Sequence, residues 1–110
     1  MKKFFLLSTM LIGLFSACSP GPREIAKDYA ENIAKGDIWE AKKLVTESTG
    51  ELLDLIVKTE AIEIQPDFEF TFIKDSIVEN KAWITYVDQN GTEGTIGLIK
   101  VKGEWKVHIQ

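Results

Sequence analysis

Three observations predict an α+β fold, with helices first and a four-stranded antiparallel meander after them. Apolar residues recur every third or fourth position from residue 22 to about residue 62, and every second position from Pro66 onwards. Three short polar stretches, "ENK" at 79–81, "DQNG" at 88–91 and "KGE" at 102–104, punctuate the alternating half, so successive strands join as hairpins. The chain has 110 residues, enough for one small domain. Helices followed by a meander pack as a helical layer on one face of a sheet.

Residues 22–36 form the first predicted helix. Pro22 suits a first helical turn, Glu24 favours the positive end of the helix dipole, and Gly36 suits the left-handed residue that ends a helix. Ile25, Tyr29 and Ile33 make one apolar row and Ala26, Ala30 and Ala34 the next, with Lys27, Asp28, Glu31 and Lys35 outside them. A second helix is predicted from Asp37, which caps it with Glu40 three residues on; Ile38, Ala41, Leu44 and Val45 form its inner face. "TESTG" at 46–50 reads as a break, and "ELLDLIVKTEAI" from residue 51 as a third helix, although its "LIV" at 55–57 could equally start a strand.

The strands begin with "FEFTFI", which sets Phe68, Phe70 and Phe72 against Glu69, Thr71 and Ile73. "AWITYV" is the second strand, "TEGTIGLIKV" the third and "WKVHI" the last, with Asn90-Gly91 as the sharpest hairpin signal. A half-solvated sheet should be polar on one face. Here Trp83 opposes Ala82 and Ile84, and Ile99 and Val101 oppose Ile96 and Leu98, so both faces are apolar. A sheet curved round a small core, a sheet enclosing a pocket, or a back face that meets a partner would each accommodate this pattern.

Composition narrows the function classes. Hydrophobic residues make up 45% of the chain and the net charge is −4. Setting aside Lys2 and Lys3 leaves 11 of the 13 basic residues against 17 acidic ones, which disfavours nucleic acid as a partner. Neither a zinc-ligand spacing nor a phosphate-cradling glycine loop occurs, so no metal site and no cofactor is expected.

The first residues carry an address. "MKK" is a basic start, "FFLLSTMLIGLF" at 4–15 an apolar run of twelve, and Ser16 and Ala17 are small: the layout of a signal peptide over 1–17. Twelve helical residues span about 18 Å, short of a ~30 Å hydrocarbon core. "LFSAC" at 14–18 resembles the lipobox of bacterial lipoproteins, with Phe15 where leucine is usual. The resemblance implies diacylglycerol on the Cys18 thiol, cleavage before it, and a protein held by lipid in a bacterial cell envelope, with the leaflet unassigned. Cys18 is the only cysteine, so a disulfide within the chain is excluded. Residues 18–22, "CSPGP", form a lipidated start and short linker, and residues 23–110 a single α+β domain.

"AKDYAENIAKGDIWEAKKLV" at 26–45, the meander and the closing "GEWKVHI" together resemble the small bacterial lipoproteins of domain of unknown function 4878. That family lies in the nuclear-transport-factor-2-like, or cystatin-like, superfamily. The resemblance implies helices wrapped by a curved sheet into a cone with a cavity at its mouth. It brings no function with it.

Enzymes of that superfamily use an Asp or Glu base, with His or Tyr as helper, inside the cone. His108, the only histidine, falls on the last strand and alternates with Trp105, Val107 and Ile109, so it is expected to face solvent. No catalytic residue is assigned. Tyr29, Trp39, Phe70, Phe72, Trp83 and Tyr86 are the candidate pocket-lining residues, and Gly36, Asp37 and Trp105 the structural ones. The expected role is a non-catalytic module that binds a small apolar ligand or a protein partner. The alternatives are an isomerase- or dehydratase-like enzyme and a self-associating structural lipoprotein; the oligomeric state is left open.

Overall fold

The computed structural model describes residues 20–59 and 62–109. The predicted signal segment 1–17 and the lipidation site Cys18 lie outside the described residues. Three helices, α1 (Pro22–Lys35), α2 (Ile38–Lys42) and α3 (Glu47–Lys58), precede four strands, β1 (Thr71–Val78), β2 (Lys81–Val87), β3 (Glu93–Val101) and β4 (Glu104–Val107). The strands form one antiparallel sheet in the order β1-β2-β3-β4, the predicted meander.

α1 starts and stops where its residues dictate. The Glu24 carboxylate accepts a 3.5 Å hydrogen bond from the Gly21 amide, and Gly36 ends the helix at φ +82°. A Cβ at Gly36 would also lie 2.9 Å from Cδ1 of Ile64, so backbone conformation and packing both require glycine there. Ile25, Ala26, Ala30 and Ala34 are buried. The alanines keep the helix surface thin, which lets α1 lie close on the sheet.

α2 is shorter than expected. Asp37 does cap it, accepting from the Glu40 amide at 3.3 Å, but the helix stops at Lys42, so Leu44 and Val45 do not continue its face. They run beside the outer edge of β4 instead. The Val107 amide donates to the Leu44 carbonyl at 2.8 Å, and the Thr46 amide to the Val107 carbonyl at 2.9 Å. That exposed strand edge takes the backbone groups that another helical turn would have used.

α3 begins earlier than expected. Thr46 caps it, its hydroxyl accepting from the Thr49 amide at 3.4 Å, so "TESTG" is the cap and first turn of a helix rather than a break. β1 begins later and ends later than "FEFTFI" implies, and Ile73 is an extra residue bulged out between the Phe72–Tyr86 and Lys74–Thr85 pairs. Phe68 and Phe70 precede the strand but still pack on the core side with Phe72.

The core lies between α1 and one face of the sheet. Ile25, Ala26, Ala30, Val45 and Leu53 meet Ala82, Ile84, Ile96, Leu98 and Val107. Each buried Ile, Leu or Val contributes roughly 1.5–3 kcal/mol, and this one cluster holds both layers together. Trp105 packs half-buried against it and does not fill its centre.

Candidate functional site: an aromatic pocket between helix and sheet

Towards the C-terminal end of α1, a pocket of about 160 Å³ is lined by residues of both helix and sheet. Tyr29 and Ile33 from α1, Tyr86 from β2, Ile96 from β3 and Phe68 from the lead into β1 form its walls, with Glu63 and Gln65 at its rim. A second hollow of about 190 Å³ shares Ala34, Gln65 and Phe68 with it and reaches Glu31, Lys35 and Pro66.

The sheet register sets Tyr86. It sits opposite Gly94 on β3, and a Cβ there would come within 2.8 Å of Cζ and Oη of the tyrosine, so the ring lies across the bare glycine. Phe70 stacks on it with centroids 4.7 Å apart and planes 13° apart. Phe68 meets the same ring edge-on at 6.3 Å. Phe72 pairs with Tyr86 across the strands and carries the Arg23 guanidinium 3.8 Å above its centroid.

The rim is tied to the helix end. The Gln65 amide donates to the Ala34 carbonyl at 2.7 Å, and the Gln89 side chain donates to Oε1 of Gln65 at 3.4 Å. Gln89 also accepts from the Glu69 amide at 3.2 Å. Asp88 orders the β2–β3 turn by accepting from the amides of Asn90 and Thr92, each at 2.9 Å.

Burial sets the chemistry of the two phenols. It pushes Tyr29 above the ordinary tyrosine value of 10.0, and the neighbouring Tyr86 adds to the rise. Tyr86 is raised by burial first and by Asp88 second. Both hydroxyls therefore stay protonated at neutral pH, able to donate and accept a hydrogen bond but unsuited to removing a proton from carbon. Glu63, the carboxylate at the rim, is exposed, and general-base work calls for a desolvated one.

The predicted aromatic residues divide. Tyr29 and Tyr86 line the pocket; Phe70 and Phe72 back it through Tyr86. Trp39 does not line it: the side chain is 71% exposed on α2. Trp83 projects from the opposite face of the sheet, 42% exposed, and lines a different hollow there, of about 310 Å³, with Lys81, Thr95, Gly97 and His108. Alternation along β2 puts Ala82, Ile84 and Tyr86 inward, so an odd-numbered neighbour must face outward. The pattern missed Phe68, Ile33, Ile96, Glu63 and Gln65; the 3.6-residue spacing from Tyr29 to Ile33 was the available signal for Ile33.

His108 is not the freely solvated residue expected. It is half-buried, and its Nδ1 lies 2.8 Å from the Thr46 hydroxyl. Among the described residues no group of three or more His, Cys, Asp or Glu side chains is placed to hold a metal ion, and no helix is long and apolar enough to cross a membrane.

No family model matches the chain, and no curated protein matches it. Among solved structures it is similar to a Campylobacter jejuni protein provisionally named an NTF2-like transpeptidase, with a TM-score of 0.62 and 16% sequence identity. The alignment covers 83% of this chain and 100% of that one. The fold is NTF2-like. The similarity is one of architecture.

Proposed function

We propose that the chain is an envelope-anchored binding module that holds a small, mostly apolar ligand bearing one hydrogen-bonding group. The observation that carries this reading is the Tyr29–Tyr86 pocket, apolar on its walls and polar at two neutral phenols and a Glu63–Gln65 rim. A volume of about 160 Å³ is close to the ~150 Å³ of an apolar cavity that takes up benzene, and below the ~300 Å³ where pockets for drug-sized molecules begin. A single ring or short alkyl chain fits, with a polar extension passing over Gln65 and Pro66 into the adjoining hollow. The lipobox-like "LFSAC" supports anchoring through lipid on Cys18.

Native mass spectrometry of the protein purified from its own envelope tests the binding reading. A retained adduct of low mass is expected, lost on Tyr86→Ala. An adduct-free protein whose Tyr29 and Tyr86 ring signals ignore a library of single-ring fragments would refute it. Intact mass tests the anchor separately: the product should begin at Cys18 and carry diacylglycerol.

A second reading, group transfer of the kind named for the Campylobacter jejuni protein, has one contact in its favour, the Thr46 hydroxyl beside the His108 imidazole. That hydroxyl donates to Oγ1 of Thr49 at 2.9 Å and accepts from the Thr49 amide. Its proton and a lone pair are committed to starting α3, so a nucleophile there would have to undo a helix cap. Binding is therefore the preferred reading.

A further inference from the structure

At the N-terminal end of α1, away from the tyrosine pocket, lies a groove of about 220 Å³. Ile25, Leu44 and Trp105 give it an apolar floor, Lys43, Lys106 and Glu104 stand at its edges, and Pro20 closes one side. We propose that this Trp105 end is the membrane-contacting end of the domain, docking on the anionic phospholipid headgroups of the bilayer that holds Cys18. The proposal rests on the lipid-anchor reading given above and adds an orientation to it.

Covalent reach is the first support. Cys18 precedes Pro20 by two residues, and two residues span at most about 7 Å. A thioether lipid on Cys18 therefore brings Pro20, and the groove it lines, to the headgroup layer.

Charge is the second. The β3–β4 hairpin from Lys100 to Lys106 carries three lysines against one glutamate in a chain of net charge −4. Lys106 pairs with Glu104 at 3.7 Å and Lys43 with Glu40 at 2.9 Å. Lys100 and Lys102 have no acidic partner among the described residues. The Lys100 ammonium sits 5.5 Å from the centroid of the Trp105 ring, and Val101 beside it is 37% exposed. An amphipathic tryptophan flanked by long cationic side chains is the composition that settles at a membrane interface, the ring among the headgroups and the ammonium groups on phosphates.

Tyr29 to Ala34 lie about 10–18 Å along the α1 axis from Pro22, so the tyrosine pocket sits at a distance from the docking end.

The test uses full-length lipidated protein with Trp39→Phe and Trp83→Phe, which leaves Trp105 as the only tryptophan, reconstituted in vesicles containing brominated phosphatidylcholine. Bromine should quench Trp105, about two-fold more strongly when one lipid in three is phosphatidylglycerol than in neutral vesicles. Lys43→Glu with Lys102→Glu, both exposed positions, should abolish that difference while the protein still floats with the vesicles. A floating protein whose Trp105 is unquenched, or quenched equally on both vesicle types, overturns the docking and leaves the anchor intact. A protein that does not float and whose mass lacks lipid refutes the anchor, and the docking with it.

Discussion

The two faces of the sheet are built from similar residues and behave differently. Along β2, Ile84 is completely buried while Trp83, one residue earlier, is 42% exposed. Across the register the contrast repeats: Ile84 pairs with Ile96 inside, and Trp83 with Gly97 outside. The two glycines of β3 divide the same way, for Gly94 lies beneath the Tyr86 ring whereas a Cβ on Gly97 would meet nothing nearer than 3.6 Å. Hydrophobicity alone therefore does not say which face is the core. The face that α1 and its alanine row cover becomes the inside, while on the other Trp83 and Val101 stay exposed beside a buried Thr85.

The largest effect should come from the covered face. Ile84→Ala is expected to lower unfolding stability by about 3 kcal/mol, against about 1 kcal/mol or less for Trp83→Ala, both read by chemical denaturation. Equal losses would erase the distinction between the faces. Gly94→Ala should cost about 1–2 kcal/mol, because the new methyl group must push aside a ring that Phe70 holds by stacking, and it should narrow the pocket. Gly97→Ala, on the outer face of the same strand, should be neutral or stabilise by about 0.5 kcal/mol through the unfolded chain. Comparing the two thermal melts sharpens the contrast without touching a large side chain. Thr46→Ala should cost about 1 kcal/mol by uncapping α3, and should shift the His108 ring signals in an NMR spectrum.

The smallest effect is in the pH dependence. The Tyr29 hydroxyl titrates above 10.0 in the folded state because burial disfavours the phenolate. A group raised on folding gives its full contribution below its unfolded value, and that contribution falls away as pH climbs through the folded one. Denaturation midpoints should therefore decline above about pH 10, and less steeply in Tyr29→Phe than in the parent. Parallel declines would mean that Tyr29 is as solvated as it is in the unfolded chain.

Much of the fold was legible because its signals are local. Gly36 can adopt a left-handed backbone, Asp37 can reach an amide three residues on, and Asn90-Gly91 can close a hairpin, whatever surrounds them. Segment 44–50 was not legible. Leu44 and Val45 have helical spacing, but the edge of β4, more than sixty residues later in the chain, claims their backbone groups. The candidate site falls between these cases. Tyr29 and Tyr86 were named from their aromatic character, whereas Phe68, Gln65 and Glu63 come from the irregular lead into β1, which has no periodicity to read.

By itself the sequence determined the order of helices and strands, the positions of the hairpin turns and the end of the first helix, since each depends on forces between residues a few positions apart. The tertiary structure decided which sheet face is dry, where the second helix stops, and which aromatic rings share a pocket and which stand in solvent. Those outcomes depend on contacts between distant segments, and burial belongs to the assembled layers rather than to any one residue.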